Sequence, residues 1–359
     1  MKSVKNSSKW WYYLGLLPVT FGICAWQTWS WWSWALSSPN SDQQELNQTE
    51  KTVQINIPLG TAAQHIGRDL EAEGLIRSAK AWKLWAKWLA TQNPEGGFQA
   101  GTYEISFNDS LPEIASQIWQ GRVMQRSFTI PEGWSIKQMG RYFESLGFFT
   151  EEEFTASARQ IPREKYPWLP KNLPHLEGFL YPNTYKVPVG NVTPQQVIAM
   201  MLNQFERVSL PMYQKAKQQT NLNLLEWVTL ASIVEKEAAI AQERDRIAGV
   251  FTQRLKKGMK LQTDPTVEYG LGIKQTADRP LTYAEVATAS PYNTYIHPGL
   301  PPTPIASPGA ASLKAALYPE KTDLLFFVAR YDGTHIFSKT YSQHLAATRQ
   351  IRRQWQARK

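Results

Sequence analysis

Two stretches of this chain repeat each other at a fixed separation of 73 residues. The first carries Ile57-Pro58-Leu59-Gly60, then Ile66-Gly67-Arg68, then Gly74-Leu75. The second carries Ile130-Pro131-Glu132-Gly133, then Met139-Gly140-Arg141, then Gly147-Phe148. Because every landmark keeps its spacing, two regions must follow the same local path. Each reads as a strand, a Pro-x-Gly turn, an amphipathic helix and a glycine that ends the helix, where a left-handed backbone is easiest without a side chain. A looser echo follows, with Gly101-Thr102-Tyr103-Glu104-Ile105 against Asn183-Thr184-Tyr185-Lys186-Val187. Two copies are too few for a solenoid. The expectation is a pair of related strand-helix modules, 53–125 and 126–190, the second carrying an insertion.

Ahead of the repeat, Trp10 to Ser41 contains no charged residue, a run of 32 positions. Its apolar part, 10–36, exceeds the ~20 residues a helix needs to span hydrocarbon. Seven of the fifteen tryptophans fall there, clustered with Tyr12 and Tyr13 toward the two ends as interfacial belts are. Lys2, Lys5 and Lys9 precede the run, and Asp42 and Glu45 follow it. The positive-inside rule then puts residues 1–9 in the cytoplasm, makes 10–36 a single-pass transmembrane helix in the inner (plasma) membrane, and sends the rest to the extracytoplasmic side. A cleaved signal peptide would be shorter and would end in a small-x-small site. Residues 37–52 read as a polar linker.

Composition narrows the chemistry. The 359 residues carry a net charge of +9, which suits an anionic partner such as lipid or an acidic wall polymer. No nucleic-acid motif is present, so nucleic acid is not expected as a partner. Cys24 is the only cysteine and lies in the apolar run, which rules out an intrachain disulfide and a cysteine nucleophile. The five histidines lack metal-site spacing, so no metal and no cofactor are expected.

Residues 191–345 differ in character. A helix is expected from near Asn221 through Glu237, breaking near Ala241 to Glu243, with a second helix ending at Gly258. Glu237 shares a helical face with Leu230, Ile233 and Val234 behind it and with Ile240 and Ala241 ahead. A carboxyl in an apolar stripe favours its protonated form, as a general acid for glycoside cleavage requires; the alternative is a solvated helix residue. Asp264-Pro265 reads as an N-cap followed by Pro at the first helical position. The stiff loop through Pro291, Tyr292 and Asn293 suits a saccharide cleft, where rings stack on sugars and an amide binds acetamido groups. Trp82, Trp85 and Trp88 recur every three residues, as a core stripe or a sugar platform. Residues 346–359 read as a basic tail, a solvated helix face that anionic headgroups could attract.

These segments together resemble the endolytic murein transglycosylases of the MltG (YceG-like) family along nearly the whole chain. The resemblance rests on Ala231-Ser232-Ile233-Val234-Glu235-Lys236-Glu237, Glu243-Arg244-Asp245, Arg254-Leu255, Leu261-Gln262-Thr263-Asp264-Pro265-Thr266-Val267, Tyr292-Asn293-Thr294-Tyr295, Gly299-Leu300-Pro301-Pro302 and Ser307-Pro308-Gly309-Ala310. Ala238 stands where the family often has Thr. The first copy of the repeat is also similar to LysM modules, small units that grip extended polymers; a duplicated scaffold without ligand contact is the other reading. The resemblance implies an α+β chain with a membrane anchor, LysM-like modules and a catalytic transglycosylase domain. It implies a lytic transglycosylase, a carbon-oxygen lyase, that cuts the MurNAc-β-1,4-GlcNAc bond of nascent peptidoglycan, leaves 1,6-anhydroMurNAc ends and terminates strand elongation. Glu237 would be catalytic, and peptidoglycan synthases would be partners. Gln262, Asp264, Tyr292 and Asn293 are candidate substrate contacts. Two other readings stay open: a muramidase using Glu237 and Asp264, and a non-catalytic wall-binding scaffold.

Overall fold

The computed structural model describes residues 9–42, 51–190, 192–276, 279–330 and 332–356. It is a mixed α and β structure, with six strands in three two-stranded sheets among the described residues. The chain divides into two units, Met1–Arg126 with Lys186–Asn191, and Ser127–Tyr185 with Val192–Lys359. This differs from the boundaries read from the sequence. The second copy of the repeat does not stand apart as 126–190; most of it belongs with the C-terminal region, for reasons given by its contacts below. Residues 1–8 of the expected cytoplasmic segment, 43–50 of the linker and 357–359 of the basic tail lie outside the described residues.

The first unit contains α1 (Lys9–Leu36), β1 (Thr52–Ile57), α2 (Ala63–Ala72), α3 (Ala79–Gln92), β2 (Gly101–Ser106) and α4 (Leu111–Trp119). β1 and β2 pair antiparallel, Thr52 opposite Ser106 and Ile57 opposite Gly101. Alternation along β2 turns Tyr103 and Ile105 inward, where they join Leu70, Leu75, Trp82, Ile114 and Ile118 in one core. Trp82 is fully buried, Trp85 packs against the same core and Trp88 is half-exposed, so the expected stripe grades from core to surface. Gly67 is the site of closest helix approach: a Cβ there would meet Trp82 Cδ1 at 2.4 Å.

The expected span does form a helix of nearly the expected extent, 28 residues or about 42 Å. Its last turn joins the core through Ala35, Trp32 and Leu36. Yet among the described residues no helix is long and apolar enough to cross a membrane. The reason lies in composition: Trp, Tyr, Ser, Thr and Gln interrupt the aliphatic residues of α1 throughout, and each brings an N–H or O–H that hydrocarbon does not satisfy.

β3 (Gln125–Thr129) pairs with β4 (Thr184–Pro188). The second unit continues the second copy with α5 (Ile136–Ser145) and α6 (Glu151–Ser157). The rest is α7 (Pro194–Ala216), α8 (Leu224–Glu237), α9 (Arg244–Lys256), α10 (Asp264–Leu271), α11 (Tyr283–Ala287), α12 (Ala310–Leu317), the hairpin β5 (Phe326–Ala329) with β6 (His335–Ser338), and α13 (Tyr341–Gln356). α8 is the central element: Trp227, Val228, Leu230, Ala231, Ile233 and Val234 are all solvent-inaccessible, and α7, α9 and α12 surround the same core. Trp227 Nε1 donates to Leu313 O of α12 at 2.8 Å, which satisfies the indole N–H inside the core. The segment expected as a basic tail is the second half of α13. Ala347 and Ile351 bury one face, while Arg349, Arg352 and Arg353 remain exposed.

The repeat is real in three dimensions. Gly60 and Gly133 have φ of 81° and 76°, and Gly74 and Gly147 have φ of 72° and 68°. These are left-handed values that glycine adopts without penalty. Tyr103 and Tyr185 each donate their hydroxyl to the carbonyl four residues earlier, Gln99 O at 2.7 Å and Tyr181 O at 2.5 Å.

Candidate active site

Glu237 is the last residue of α8. Asn223 caps the start of the helix in a capping box with Glu226, and the end comes at Ala238, whose ψ of 94° leaves the helical path. The face behind Glu237 is as expected, since Leu230, Ile233 and Val234 are buried. The face ahead is corrected: Ile240 and Ala241 lie beyond the helix, in the turn that leads to α9.

The carboxyl of Glu237 sits deep although the residue as a whole is only half-buried. Burial raises its pKa from the usual carboxylate value to about 7. The Thr263 hydroxyl, which donates to Oε1, pulls it down. The carboxylates of Asp264 and Glu268 push it up, and Arg254 opposes them. The negative end of the α8 dipole acts in the same direction as burial. Asp264 is the carboxylate that the muramidase reading pairs with Glu237; the influence of Glu268 was not expected.

Thr263 is itself held. Its backbone N–H donates to Thr294 Oγ1 at 3.1 Å, and Thr294 and Thr266 share a hydroxyl contact of 2.8 Å. All three threonines are buried. The preceding residue, Gln262, is the one non-glycine with positive φ among the described residues, at 50°. Such a backbone costs about 1–2 kcal/mol, and its N–H donates to Thr294 O at 3.2 Å. Arg254 is buried on α9 and donates to Leu325 O, Lys260 O and Leu261 O, so it pins the chain that leads into this kink.

The other expected contacts divide. Gln262 is exposed beside Thr263. Tyr292 lines a cavity next to the site, its ring against Tyr269 at 4.8 Å and its hydroxyl on Thr303 Oγ1. Asn293 has a different job from the one expected. It is buried, its amide donates to Val286 O and Thr288 O, and its oxygen accepts from Tyr295 N, so its polar groups hold the loop rather than face a ligand. Asp264 is the first residue of α10 and not its cap; Thr263 takes the cap position. Both oxygens of Asp264 are engaged, by Tyr295 Oη at 2.6 Å and Gln275 Nε2 at 3.4 Å.

Three functional groups escaped the sequence reading. Thr263 and Arg254 lie in the motifs quoted above, but their roles arise from contacts across the fold. Glu177 is 2% exposed and accepts from Ile136 N at 3.0 Å and from Tyr269 Oη at 3.1 Å. Burial pushes it to about 8, against those hydrogen bonds. A signal was present: a lone acid in the apolar run Leu176-Glu177-Gly178-Phe179-Leu180-Tyr181.

The arrangement offers one proton-bearing carboxyl on a rigid helix, fixed at one oxygen by a buried hydroxyl. A carboxyl so placed has the chemistry a general acid needs, a proton retained near neutral pH. Known proteins resemble this chain over most of its length. The YceG-like family model matches residues 55–350. A Bacillus subtilis protein named endolytic murein transglycosylase is 33% identical over 310 residues, which is 82% of this chain and 84% of that one. A protein of the same name from Streptococcus pneumoniae is 31% identical over 307 residues, 78% of this chain; the chain spans 55% of that relative. The crystal structure of a YceG-like protein from Listeria monocytogenes superposes with a TM-score of 0.57 at 32% identity, covering 83% of this chain and 99% of that one. With the family model matched over residues 55–350, the chain belongs to the YceG-like family.

Proposed function

We propose that this chain is a peptidoglycan lytic transglycosylase that cuts glycan strands internally at the MurNAc-β-1,4-GlcNAc bond. The observation that carries the reading is Glu237, a carboxyl held near neutrality in its pKa by burial and fixed at Oε1 by Thr263. With Oε1 accepting from Thr263, the acidic proton resides on Oε2. Oε2 gives that proton to the glycosidic oxygen as the C1–O bond breaks. The carboxylate then takes the proton of the muramoyl C6 hydroxyl while O6 bonds to C1. The anhydro ring closes, Glu237 is protonated again, and no water is consumed. One residue acts as acid and then base. Gln262, exposed beside Thr263, and Tyr292, on the cavity wall, would contact the sugar.

A muramidase would use Asp264 as nucleophile or base, and Tyr295 and Gln275 occupy both its oxygens. A scaffold would not need a raised-pKa carboxyl on a half-exposed residue. Mass spectrometry of strands digested by the intact chain separates the three: anhydro ends support the proposal, reducing ends make it a hydrolase, and no cleavage leaves the scaffold.

The same proposal places the chain on nascent wall at the inner membrane, where cutting strands would end their elongation and peptidoglycan synthases would be neighbours. Anchoring by α1 is supported by the charge-free run, a helix about 42 Å long and exposed rings of Trp26 and Trp29 toward its C-terminal half, tryptophan being a side chain that favours membrane interfaces. The strand, two helices and strand of the first unit support a LysM-like, glycan-gripping reading. Carbonate extraction of membranes tests the anchor: release of the chain into the wash would end it.

A further inference from the structure

Beside the acid, the second unit holds a cavity of about 790 Å³, within the range of small-ligand sites. It starts at Lys236, which adjoins Glu237 in the chain, and at Glu268, whose charge acts on Glu237. It runs to the first turn of α5 and is floored by Glu177 and Tyr269. A strand with its scissile bond at Glu237 therefore has this space at its flank.

The walls of the cavity are cationic. Lys137, Arg159, Lys236 and Lys274 line it, all are exposed, and none is ion-paired among the described residues. Arg141 also lines it but is matched by Glu151. Glu268 is a single opposing carboxylate, accepting from Gln275 N at 2.7 Å. Glu177 does not offset the lysines, because burial keeps it protonated at neutral pH. The N-terminal end of α5 adds the positive end of a helix dipole.

A strand without stems offers these cations only the single lactyl carboxylate of each muramoyl unit. The peptide stem on each muramoyl lactyl group carries carboxylates, and it leaves the sugar next to the bond being cut. We propose that this cavity is a subsite for the peptide stem of the glycan strand, with stem carboxylates held by Lys137, Lys236 and Lys274. This rests on the peptidoglycan reading above and deepens it. It also sets an order of reactions: the chain acts on strands before amide hydrolysis strips their stems.

The test compares uncross-linked strands bearing stems with strands denuded by an amidase, scored by anhydro ends. Wild type should prefer stem-bearing strands by about tenfold or more in kcat/KM, a magnitude set by a few charged contacts. In the Lys137→Ala/Lys274→Ala double variant that preference should shrink toward unity through KM. Direct binding is read separately, by calorimetry of muramoyl-pentapeptide against full-length Glu237→Gln, with and without the lysine substitutions. Equal cleavage of both strands by wild type, a preference that survives the double variant, or no heat from muramoyl-pentapeptide would each overturn the subsite. Peptide binding without anhydro products from either strand would instead remove the transglycosylase reading and leave the subsite standing.

Discussion

In the first copy of the repeat, the Pro58-Leu59-Gly60 turn stands in solvent. Leu59 is 93% exposed, and nothing lies within 4 Å of a Cβ built on Gly60. In the second copy the same turn is bonded into the site. Gly133 N donates to Ser307 O and Ser307 N to Trp134 O, both at 2.8 Å. Lys236 Nζ donates to Gly133 O at 3.4 Å, and the Glu132 carboxyl lies over Gly309, whose N–H donates to Glu235. The helix starts differ in the same way. Ala62 caps α2 with no side-chain bond, whereas α5 has Ser135 as cap and Glu177 on its first N–H. One backbone path thus serves twice, once as a self-contained module and once as a brace for the helix that carries Glu237. What separates the copies is the partner each turn meets, which is why the second copy belongs with the C-terminal region.

The largest expected effect tests whether the braced copy supports an active acid at all. Glu237→Gln keeps the shape and removes the proton. Anhydro-end formation should fall by about 10²–10⁴-fold, the range for losing a general acid or base, with the circular dichroism spectrum unchanged. Residual activity within threefold of wild type would show that the brace holds something other than the acid.

A glycine pair probes the copies next. Gly60 and Gly178 have nearly the same φ, 81° and 83°. A Cβ on Gly60 meets open space, while one on Gly178 meets Pro304 Cβ at 2.4 Å and Val228 Cγ1 at 2.9 Å. Gly60→Ala should cost only the backbone strain, about 1–2 kcal/mol. Gly178→Ala adds overpacking of about 1–3 kcal/mol and should also lower activity, because Pro304 precedes Ile305, whose N–H is bonded to Ser232 of α8. Equal shifts in denaturant midpoint would erase the distinction between a free turn and a packed insertion.

The repeat was legible in the sequence because its signals are local: Pro and Gly at fixed spacing dictate turns and caps wherever they occur. The burial behind Glu237 was legible from helical periodicity, also a local signal, whereas the end of α8 was not, because Ile240 and Ala241 continue the apolar pattern past it. The rest depends on chain segments far apart. Glu177 reaches Ile136 across 41 positions, and Thr263 reaches Glu237 across 26; no periodicity encodes either. Asn293 was misread because an amide in a stiff loop looks the same whether it faces ligand or backbone. Counting absent charges located the helix α1 but overstated its apolarity, since Trp, Ser and Thr are uncharged without being apolar.

A pH experiment tests the buried bond at the start of α5, which has no counterpart at α2. Glu177 is raised from 4.5 to about 8 in the folded chain. The folded state therefore keeps a proton that the unfolded state loses between those values. The stabilisation is complete below the unfolded pKa, falls as pH rises, and is gone above about 8. Glu237, raised to about 7, adds a slope of the same sign. The denaturant midpoint should drop from pH 5 to pH 8.5, and Glu177→Gln should flatten part of that drop by removing the titrating group. A variant with the wild-type slope would show that this carboxyl is ionised throughout.

The smallest expected effect concerns the one support of Glu237 that the repeat does not supply. On one side the acid is braced through Lys236 and Glu235 by the second copy's turn and its partner Gly309; on the other it is held by Thr263. Thr263→Val keeps the shape and deletes the donor. The hydrogen bond from Thr263 lowers the pKa of Glu237, so its loss should move the basic limb of kcat/KM from near pH 7 toward higher pH. At the same time the proton is no longer confined to Oε2, and kcat should fall by about tenfold, the cost of one positioning hydrogen bond. Thr263→Ser restores the donor and should restore both the limb and the rate. If Thr263→Val lowers the rate without moving the limb, the threonine only packs the loop, and the orientation of the acid comes from the second copy alone.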